Sequence, residues 1–100
     1  MKTKVTKEEG KITIAFIGRL DTPAAQEVNP VINELMEEAD KTIIIDCKEM
    51  AYISSSGLRI FLTLRKAAED KKGKVIIENI NDEIRSVFMM TGFLNLFEIR

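Results

Sequence analysis

Alternating apolar and polar residues near the start of the chain predict a β-hairpin. Apolar residues occupy every second position of Lys11–Ile17, the pattern of a strand with one buried face. A shorter strand is predicted at Val5–Lys7, and the two are separated by Glu8–Gly10, a segment with turn composition. Because this connection is so short, the two strands should pair antiparallel.

The periodicity then changes to the three- and four-residue spacing of an amphipathic helix. Thr22–Pro23 is a typical helix start, since threonine can cap a helix and proline suits the first helical position. The apolar stripe comprises Ala25, Val28, Ile32, Leu35, Met36 and Ala39. Pro30 interrupts it, because an internal proline removes a hydrogen bond and clashes with the preceding turn. Two interpretations stay open: one helix kinked at Pro30, which we favour, or a first turn ending near Val28 and a second helix capped by Asn29.

Strands and helices alternate through the rest of the chain. Consecutive isoleucines predict a strand at Thr42–Cys47 that is buried on both faces, followed by a connecting loop at Lys48–Ile53. The second helix begins within Ser54–Gly57 and ends near Lys72. Its buried residues are predicted to be Leu58, Phe61 and Leu62, with a wider stripe of Ile60, Leu64, Ala67 and Ala68.

Two more strands and a third helix complete the predicted elements. The strands are Lys74–Glu78 and the short Leu96–Ile99, and the helix between them is capped by Asn81 and ends at Gly92. The element order β-β-α-β-α-β-α-β predicts the α/β class. We expect one domain over residues 1–100, with a mostly parallel mixed sheet, an antiparallel N-terminal strand and about three packed helices.

Charge and composition narrow the functional classes. The 100 residues include fifteen Lys+Arg and sixteen Asp+Glu, so the formal net charge of −1 argues against nucleic acid as a partner. The chain contains no histidine, which removes the usual general base, and it lacks the common phosphate-binding loops. We therefore predict no catalytic residues, no cofactor and no metal. Without a long apolar run, no direct membrane insertion is expected, and a cytoplasmic location is predicted.

The serine run is the most informative candidate site. Ser54, Ser55, Ser56 and Gly57 follow a predicted buried strand and open a helix, where several backbone N–H groups have no helical partner. Such a position suits a negatively charged group, including a phosphate attached to serine. The alternative, which the spacing alone favours, is that Ser54 caps the helix and its neighbours are small and polar, as at many helix starts.

Acidic residues at strand ends suggest a second candidate site. If the second and third strands are adjacent and parallel, Asp21 and Asp46 would gather beside the serine run, close to Arg19. Their oxygens could hold Mg²⁺ weakly, but no metal-site spacing is present. The simpler interpretation, which we favour, is that Asp21 helps to cap a helix and Asp46 ends a strand.

Cys47 and the C-terminal apolar residues are predicted to be packed in the core. One cysteine cannot form an internal disulfide, and no histidine is available to activate it as a nucleophile. The alternative for the C-terminal region is an apolar contact surface, made by Phe88, Met89, Met90, Phe93 and Phe97.

Taken together, these segments resemble the STAS domain, specifically the bacterial anti-sigma factor antagonists. The matching stretches are Gly18–Asp21, Ile43–Asp46, Tyr52–Arg59, Val75–Ile77 and Phe88–Phe97. The resemblance covers nearly the whole chain in order. Its two specific motifs are the serine-glycine-leucine segment and the Thr91-Gly92-Phe93 ending.

The resemblance implies partner switching controlled by phosphorylation. Family members typically read Asp-Ser-Ser/Ala-Gly-Leu at the second helix, and the first serine is phosphorylated by a kinase that doubles as an anti-sigma factor. By position, Ser55 is the implied phosphoacceptor, and Ser54 stands where the family has aspartate. The unphosphorylated protein would capture the anti-sigma factor, and a phosphoserine phosphatase would reset the switch. We hypothesise a docking face comprising Arg19, Asp21, Ser54, Ser55, Ser56, Gly57 and Arg59.

Other functions remain open from the sequence. STAS-like domains also serve as accessory subunits of membrane transport complexes, in which case the serine run would only cap a helix. A nucleotide-binding or hydrolytic enzyme has little support without histidine or a phosphate loop. An exposed edge of the first strand and the C-terminal apolar residues would also allow a weak homodimer.

Overall fold

A computed structural model describes all 100 residues of the chain. Six strands and five helices follow in the order β-β-α-α-β-β-α-β-α-α-β. The strands are β1 (Lys2–Glu8), β2 (Lys11–Leu20), β3 (Thr42–Asp46), β4 (Met50–Ile53), β5 (Lys74–Glu78) and β6 (Glu98–Ile99). The helices are α1 (Thr22–Glu27), α2 (Asn29–Glu37), α3 (Ser55–Asp70), α4 (Asp82–Thr91) and α5 (Phe93–Leu96).

The strands form one mixed sheet in the order β1-β2-β3-β5-β6, and β4 pairs separately with the far end of β2. β1 and β2 pair antiparallel through a turn at Gly10, whose φ of 74° suits glycine. All other strand pairs are parallel. The predicted fold class is therefore confirmed: an α/β domain whose mostly parallel sheet carries an antiparallel N-terminal edge strand.

The core lies between the sheet and the helices. Ile43–Ile45 and Val75–Ile77 are buried on β3 and β5, as their consecutive apolar residues predicted. Neighbouring phenylalanine rings lie 5.4–6.2 Å apart in a continuous row. The row comprises Phe16, Phe61, Phe88, Phe93 and Phe97. The predicted core role is therefore confirmed for Phe88, Phe93 and Phe97. It is wrong for Met89 and Met90, which are 66% and 87% exposed.

The first predicted helix is divided in two, so a single kinked helix was the wrong choice between the two interpretations. α1 ends at Glu27 and α2 begins at Asn29, although the Val28 carbonyl still accepts from the Ile32 N–H at 3.0 Å. Pro30 is the second residue of α2, where its missing N–H leaves no helical hydrogen bond unmade. Asn29 itself is helical and does not cap α2.

Further differences arise from contacts distant in sequence. The predicted loop before the second helix contains β4, which pairs with the extension of β2 beyond an irregularity at Gly18. The last strand is shorter than predicted because Phe93–Leu96 is helical. Leu62, predicted to be buried, is 40% exposed. None of the five helices has the length and apolar character needed to span a membrane.

Candidate functional site

Two parallel strands end side by side, and each leads directly into a helix. Leu20 at the end of β2 pairs with Ile53 at the end of β4. The next residue in each case is a helix cap, Asp21 for α1 and Ser54 for α3. The Asp21 carboxylate accepts from the Ala24 N–H at 3.0 Å, which confirms the capping role favoured for Asp21. Thr22, also predicted to cap this helix, is instead its first residue.

Ser54 joins the two strand ends as well as capping α3. Its hydroxyl accepts from the Gly57 N–H at 3.2 Å and donates to the Leu20 carbonyl at 3.0 Å. The Ser54 N–H also donates to the Leu20 carbonyl, at 2.9 Å. The capping role considered for Ser54 is therefore present, and the same side chain fixes α3 against the end of β2.

Gly57 allows α3 to approach the sheet closely. A Cβ at this buried position would lie 2.8 Å from the Leu20 Cγ and 2.9 Å from the Ile53 Cγ1, too close for a real contact. Glycine is therefore required by packing, since the nearest atoms belong to buried side chains of β2 and β4. In this structure Gly57 supports the site from beneath and lies away from its surface.

The two remaining serines differ in their surroundings. The Ser56 hydroxyl lies 3.3 Å from the Thr22 hydroxyl and links the first turns of α1 and α3. Ser55 is exposed, and its hydroxyl makes no hydrogen bond. Ser55 is the first residue of α3, and the N–H groups of Ser55 and Ser56 have no intrahelical acceptor. Among the three serines, Ser55 is thus the one that the fold leaves free.

Two arginines belong to the elements that meet at the serines: Arg19 lies on β2 and Arg59 on α3. The Arg19 guanidinium lies 4.3 Å from the centre of the Tyr52 ring, a cation–π contact between paired residues of β2 and β4. Arg59 is exposed one turn into α3 and makes no side-chain hydrogen bond or ion pair. A shallow cleft of about 240 Å³ between α1 and α3 includes Ser56 and Arg59 in its walls.

Tyr52 and Thr22 are site residues that the sequence analysis did not identify. The Arg19–Tyr52 contact depends on β4, which was predicted as a loop, so this pairing had no visible signal. The Thr22–Ser56 contact spans 34 residues and depends on the packing of α1 beside α3. The one available signal was the position of Tyr52, the single tyrosine, two residues before the serine run.

Asp46 does not join this site, and the hypothesis that it gathers there with Asp21 is wrong. β2 and β3 are adjacent and parallel as required, but Asp46 pairs with Ala15, six residues before Asp21. At about 3.3 Å per strand residue, this offset is about 20 Å. The Asp46 carboxylate instead accepts from the Lys48 N–H and the Asn79 side-chain amide. No group of three acidic, histidine or cysteine side chains is placed to hold a metal.

Cys47 is a packed core residue. Its side chain is fully buried, and burial together with the nearby Asp46 charge raises the pKa of the thiol to about 12. Since the thiolate is the nucleophilic form, the burial of Cys47 and its raised pKa both disfavour a nucleophilic role. The predicted core role is confirmed.

Comparison of the sequence with known proteins points to one family. The STAS domain family model matches residues 2–100. A candidate anti-sigma factor antagonist of Bordetella bronchiseptica, BtrV, is 24% identical over 99% of this chain and 85% of its own length. An anti-sigma-B factor antagonist of Staphylococcus aureus is 24% identical over 99% of this chain and 92% of its own length.

A solved structure shows the same fold. The Bacillus cell fate determinant SpoIIAA, in its phosphorylated form, superposes with a TM-score of 0.76 at 21% identity. The superposition covers 99% of this chain and 91% of SpoIIAA. With the family model matching almost every residue, the resemblance noted in the sequence is confirmed: this chain belongs to the STAS domain family.

Proposed function

We propose that this protein is an anti-sigma factor antagonist that binds an anti-sigma factor with serine kinase activity, and that phosphorylation of Ser55 dissociates the complex. The names of the Bordetella and Staphylococcus relatives support the first part. The phosphorylated form of SpoIIAA supports the second, because it is a protein of the same fold that carries a phosphate. A phosphoserine phosphatase would restore the binding form.

The observation that carries the proposal is the free hydroxyl of Ser55. Ser54 uses its hydroxyl in two hydrogen bonds, and the Ser56 hydroxyl lies beside Thr22. Ser55 alone can reach the active site of a kinase without breaking a contact of the fold. It is also the residue that the family motif aligns with the phosphoacceptor.

The proposed docking surface surrounds this hydroxyl. Its exposed members are Arg19, Ser55 and Arg59, and its half-buried members are Asp21, Ser54 and Ser56. The Ser54 hydroxyl and the buried Gly57 hold α3 against β2. The surface therefore combines both charge signs with serine hydroxyl groups, and we expect a polar, charge-complementary partner.

A phosphate on Ser55 would change binding more than folding. It would lie at the N-terminus of a sixteen-residue helix, where backbone N–H groups and the helix dipole favour negative charge. In the interface, the same doubly charged group would be desolvated or would face a partner carboxylate. A thousandfold loss of affinity requires about 4 kcal/mol, which such repulsion and desolvation can supply.

This role requires no catalysis by the chain itself. The site contains no histidine, and its free Ser55 hydroxyl is available as the substrate of a kinase. We therefore propose a regulatory binding module that neither turns over nucleotide nor binds nucleic acid. Nucleotide hydrolysis by the pure protein would contradict this.

The proposal can be tested by comparative capture from a native lysate. The wild-type protein, Ser55→Ala and Ser55→Asp serve as baits, and Ser86→Asp places the same charge on an exposed serine of α4 as a matched control. We expect wild type, Ser55→Ala and Ser86→Asp to retain one ATP-binding kinase, and Ser55→Asp to lose it. If all four baits instead retain the same transport protein, Ser55 is only a helix-start residue and the chain is an accessory subunit of a transport complex.

A further inference from the structure

An apolar groove lies between α2 and α3, outside the proposed docking surface except at Arg59. Its volume is about 500 Å³. Met36 of α2 and Leu62 and Ala67 of α3 supply its apolar lining. Leu62 is 40% exposed although it lies on a helix that packs most of its leucines in the core, so the fold leaves this side chain without a covering element.

The rim of this α2–α3 groove is basic in a protein that is slightly acidic overall. Arg59, Lys66 and Lys71 line it, against one carboxylate, Asp70, whereas the whole chain has a net charge of −1. Lys71 donates to the Glu37 carbonyl at 2.9 Å, but the side chains of Arg59 and Lys66 make no hydrogen bond or ion pair. Two cations thus stand free on either side of an exposed leucine.

We propose that the α2–α3 groove receives an acidic amphipathic helix of the anti-sigma factor, an inference that rests on the proposed function. A groove between two helices is a common receptor for a third helix, which places its apolar anchors in the groove. Here the required anchor is an apolar side chain that covers Leu62. Carboxylates on the partner helix, one turn before and after that anchor, would pair with Arg59 and Lys66.

The spacing of the groove residues fits that occupant. Arg59 and Lys66 are seven residues apart, so about two turns or 10 Å of α3 separate them, with Leu62 between. A partner helix carrying acidic residues at the same seven-residue spacing would match both cations at once. Partial burial beside an apolar contact strengthens the Coulomb attraction within each pair, while desolvation of the two charges costs part of that gain.

The same stripe of α3 connects the groove to the phosphorylation site. Ser55, Arg59, Leu62 and Lys66 follow at four-, three- and four-residue intervals, so they share one face of α3. A phosphate on Ser55 would lie one turn from Arg59, about 6 Å away, and could pair with its guanidinium. It would then both neutralise the first cation of the groove and repel an acidic helix, which links phosphorylation to release.

The test measures binding of the purified anti-sigma factor recovered with the Ser55→Ala bait. Its dissociation constant is determined by calorimetry for the wild type and Lys66→Glu, with Lys4→Glu, an exposed lysine of β1, as the matched control. We expect Lys66→Glu to weaken binding at least tenfold and Lys4→Glu less than twofold. A glutamate-to-lysine change in the partner helix should restore binding to Lys66→Glu. Thermal melting of each variant controls for folding.

Three other outcomes would overturn the groove proposal, and they differ in what they imply for the proposed function. If Lys66→Glu binds within twofold of wild type while Ser55→Asp does not bind, the groove proposal is overturned and the proposed function stands. If the wild type itself forms no complex, both fail. If Lys66→Glu instead abolishes self-association of the isolated chain in sedimentation, a second copy occupies the groove and the proposed partner is wrong.

Discussion

The inner and outer faces of the N-terminal half of α3 differ in how strongly contacts with the rest of the fold constrain their residues. On the inner face, Ser54 makes two hydrogen bonds with its hydroxyl, and Gly57 lies too close to Leu20 to accept a side chain. On the outer face, Ser55, Arg59 and Leu62 are exposed and make no side-chain hydrogen bond or ion pair. The inner positions are therefore constrained by the fold, and the outer positions are available for a partner or a modification.

The largest effect on stability is expected at Gly57. Alanine by itself favours a helix by about 1 kcal/mol over glycine, but its Cβ would collide with Leu20 and Ile53. Overpacking of this kind costs about 1–3 kcal/mol, so Gly57→Ala should lower the free energy of unfolding in urea despite the gain in helix propensity. Equal stability of Gly57→Ala and wild type would mean that α3 is not held closely against β2.

Removing the Ser54 cap should lower the free energy of unfolding less than Gly57→Ala does. Ser54→Ala deprives the Gly57 N–H of its acceptor and should lower the free energy of unfolding by about 1 kcal/mol. Ser54→Asp, which restores the family's usual residue, keeps an acceptor for that N–H but cannot donate to the Leu20 carbonyl. We expect the aspartate variant to lie between alanine and wild type. If Ser54→Ala were as stable as wild type, the Ser54 cap would make no contribution to the free energy of unfolding.

Substitution of Ser55 should leave stability nearly unchanged. Because its hydroxyl is exposed and has no partner, Ser55→Ala and Ser55→Asp should each remain within about 0.5 kcal/mol of wild type. Chemical denaturation of all three proteins checks this. A loss of 2 kcal/mol in Ser55→Ala would show that the outer face also serves the fold and would abolish the contrast between the two faces.

The smallest effect on stability is expected from the ion pairs of Glu38, which lie far from the site. It should be visible mainly as a dependence of stability on pH. Hydrogen bonds from Lys7 and Lys41, at 2.8 and 2.9 Å, hold the pKa of Glu38 below its ordinary value of 4.5. The stability from these pairs is therefore complete above about pH 4.5 and is lost as pH falls through the lowered pKa. Since all three side chains are partly exposed, the pairs are also screened by salt.

Glu38→Gln tests the sign of this dependence. Thermal melting should show a small deficit relative to wild type at pH 7 in low salt, and no deficit once Glu38 is protonated in strong acid. A deficit that grows as pH falls would contradict the predicted direction.

Much of the fold could be predicted because local sequence and tertiary structure agree. Buried strands at Thr42–Asp46 and Lys74–Glu78 follow from consecutive β-branched residues, and Asn81 caps α4 as its position suggested. β4 could not be predicted, because its four residues form a strand only by pairing with the extended end of β2. That extension also explains the error at Asp46: an irregularity at Gly18 lets β2 continue to Leu20, well beyond β3.

The serines of the site could be predicted from the sequence, but their different roles could not, and neither could the contacts of Thr22 and Tyr52. The motif places Ser54, Ser55 and Ser56 together, but only the contacts with Leu20 and Thr22 show which hydroxyl groups the fold uses. Both contacts join residues 34 positions apart. Likewise, helical periodicity alone assigns Leu62 to the core, although this residue is 40% exposed in the structure.

The central claim, that Ser55 is the residue left free for phosphorylation, is tested most directly by mapping the phosphate. The kinase retained by the Ser55→Ala bait is incubated with ATP and the wild-type protein, Ser55→Ala or Ser56→Ala, and the products are examined by mass spectrometry of peptides. We predict one phosphate on Ser55 in the wild type and in Ser56→Ala, and none in Ser55→Ala. Undiminished phosphorylation of Ser55→Ala, or a phosphate mapped to Ser54 or Ser56 in the wild type, would contradict the claim.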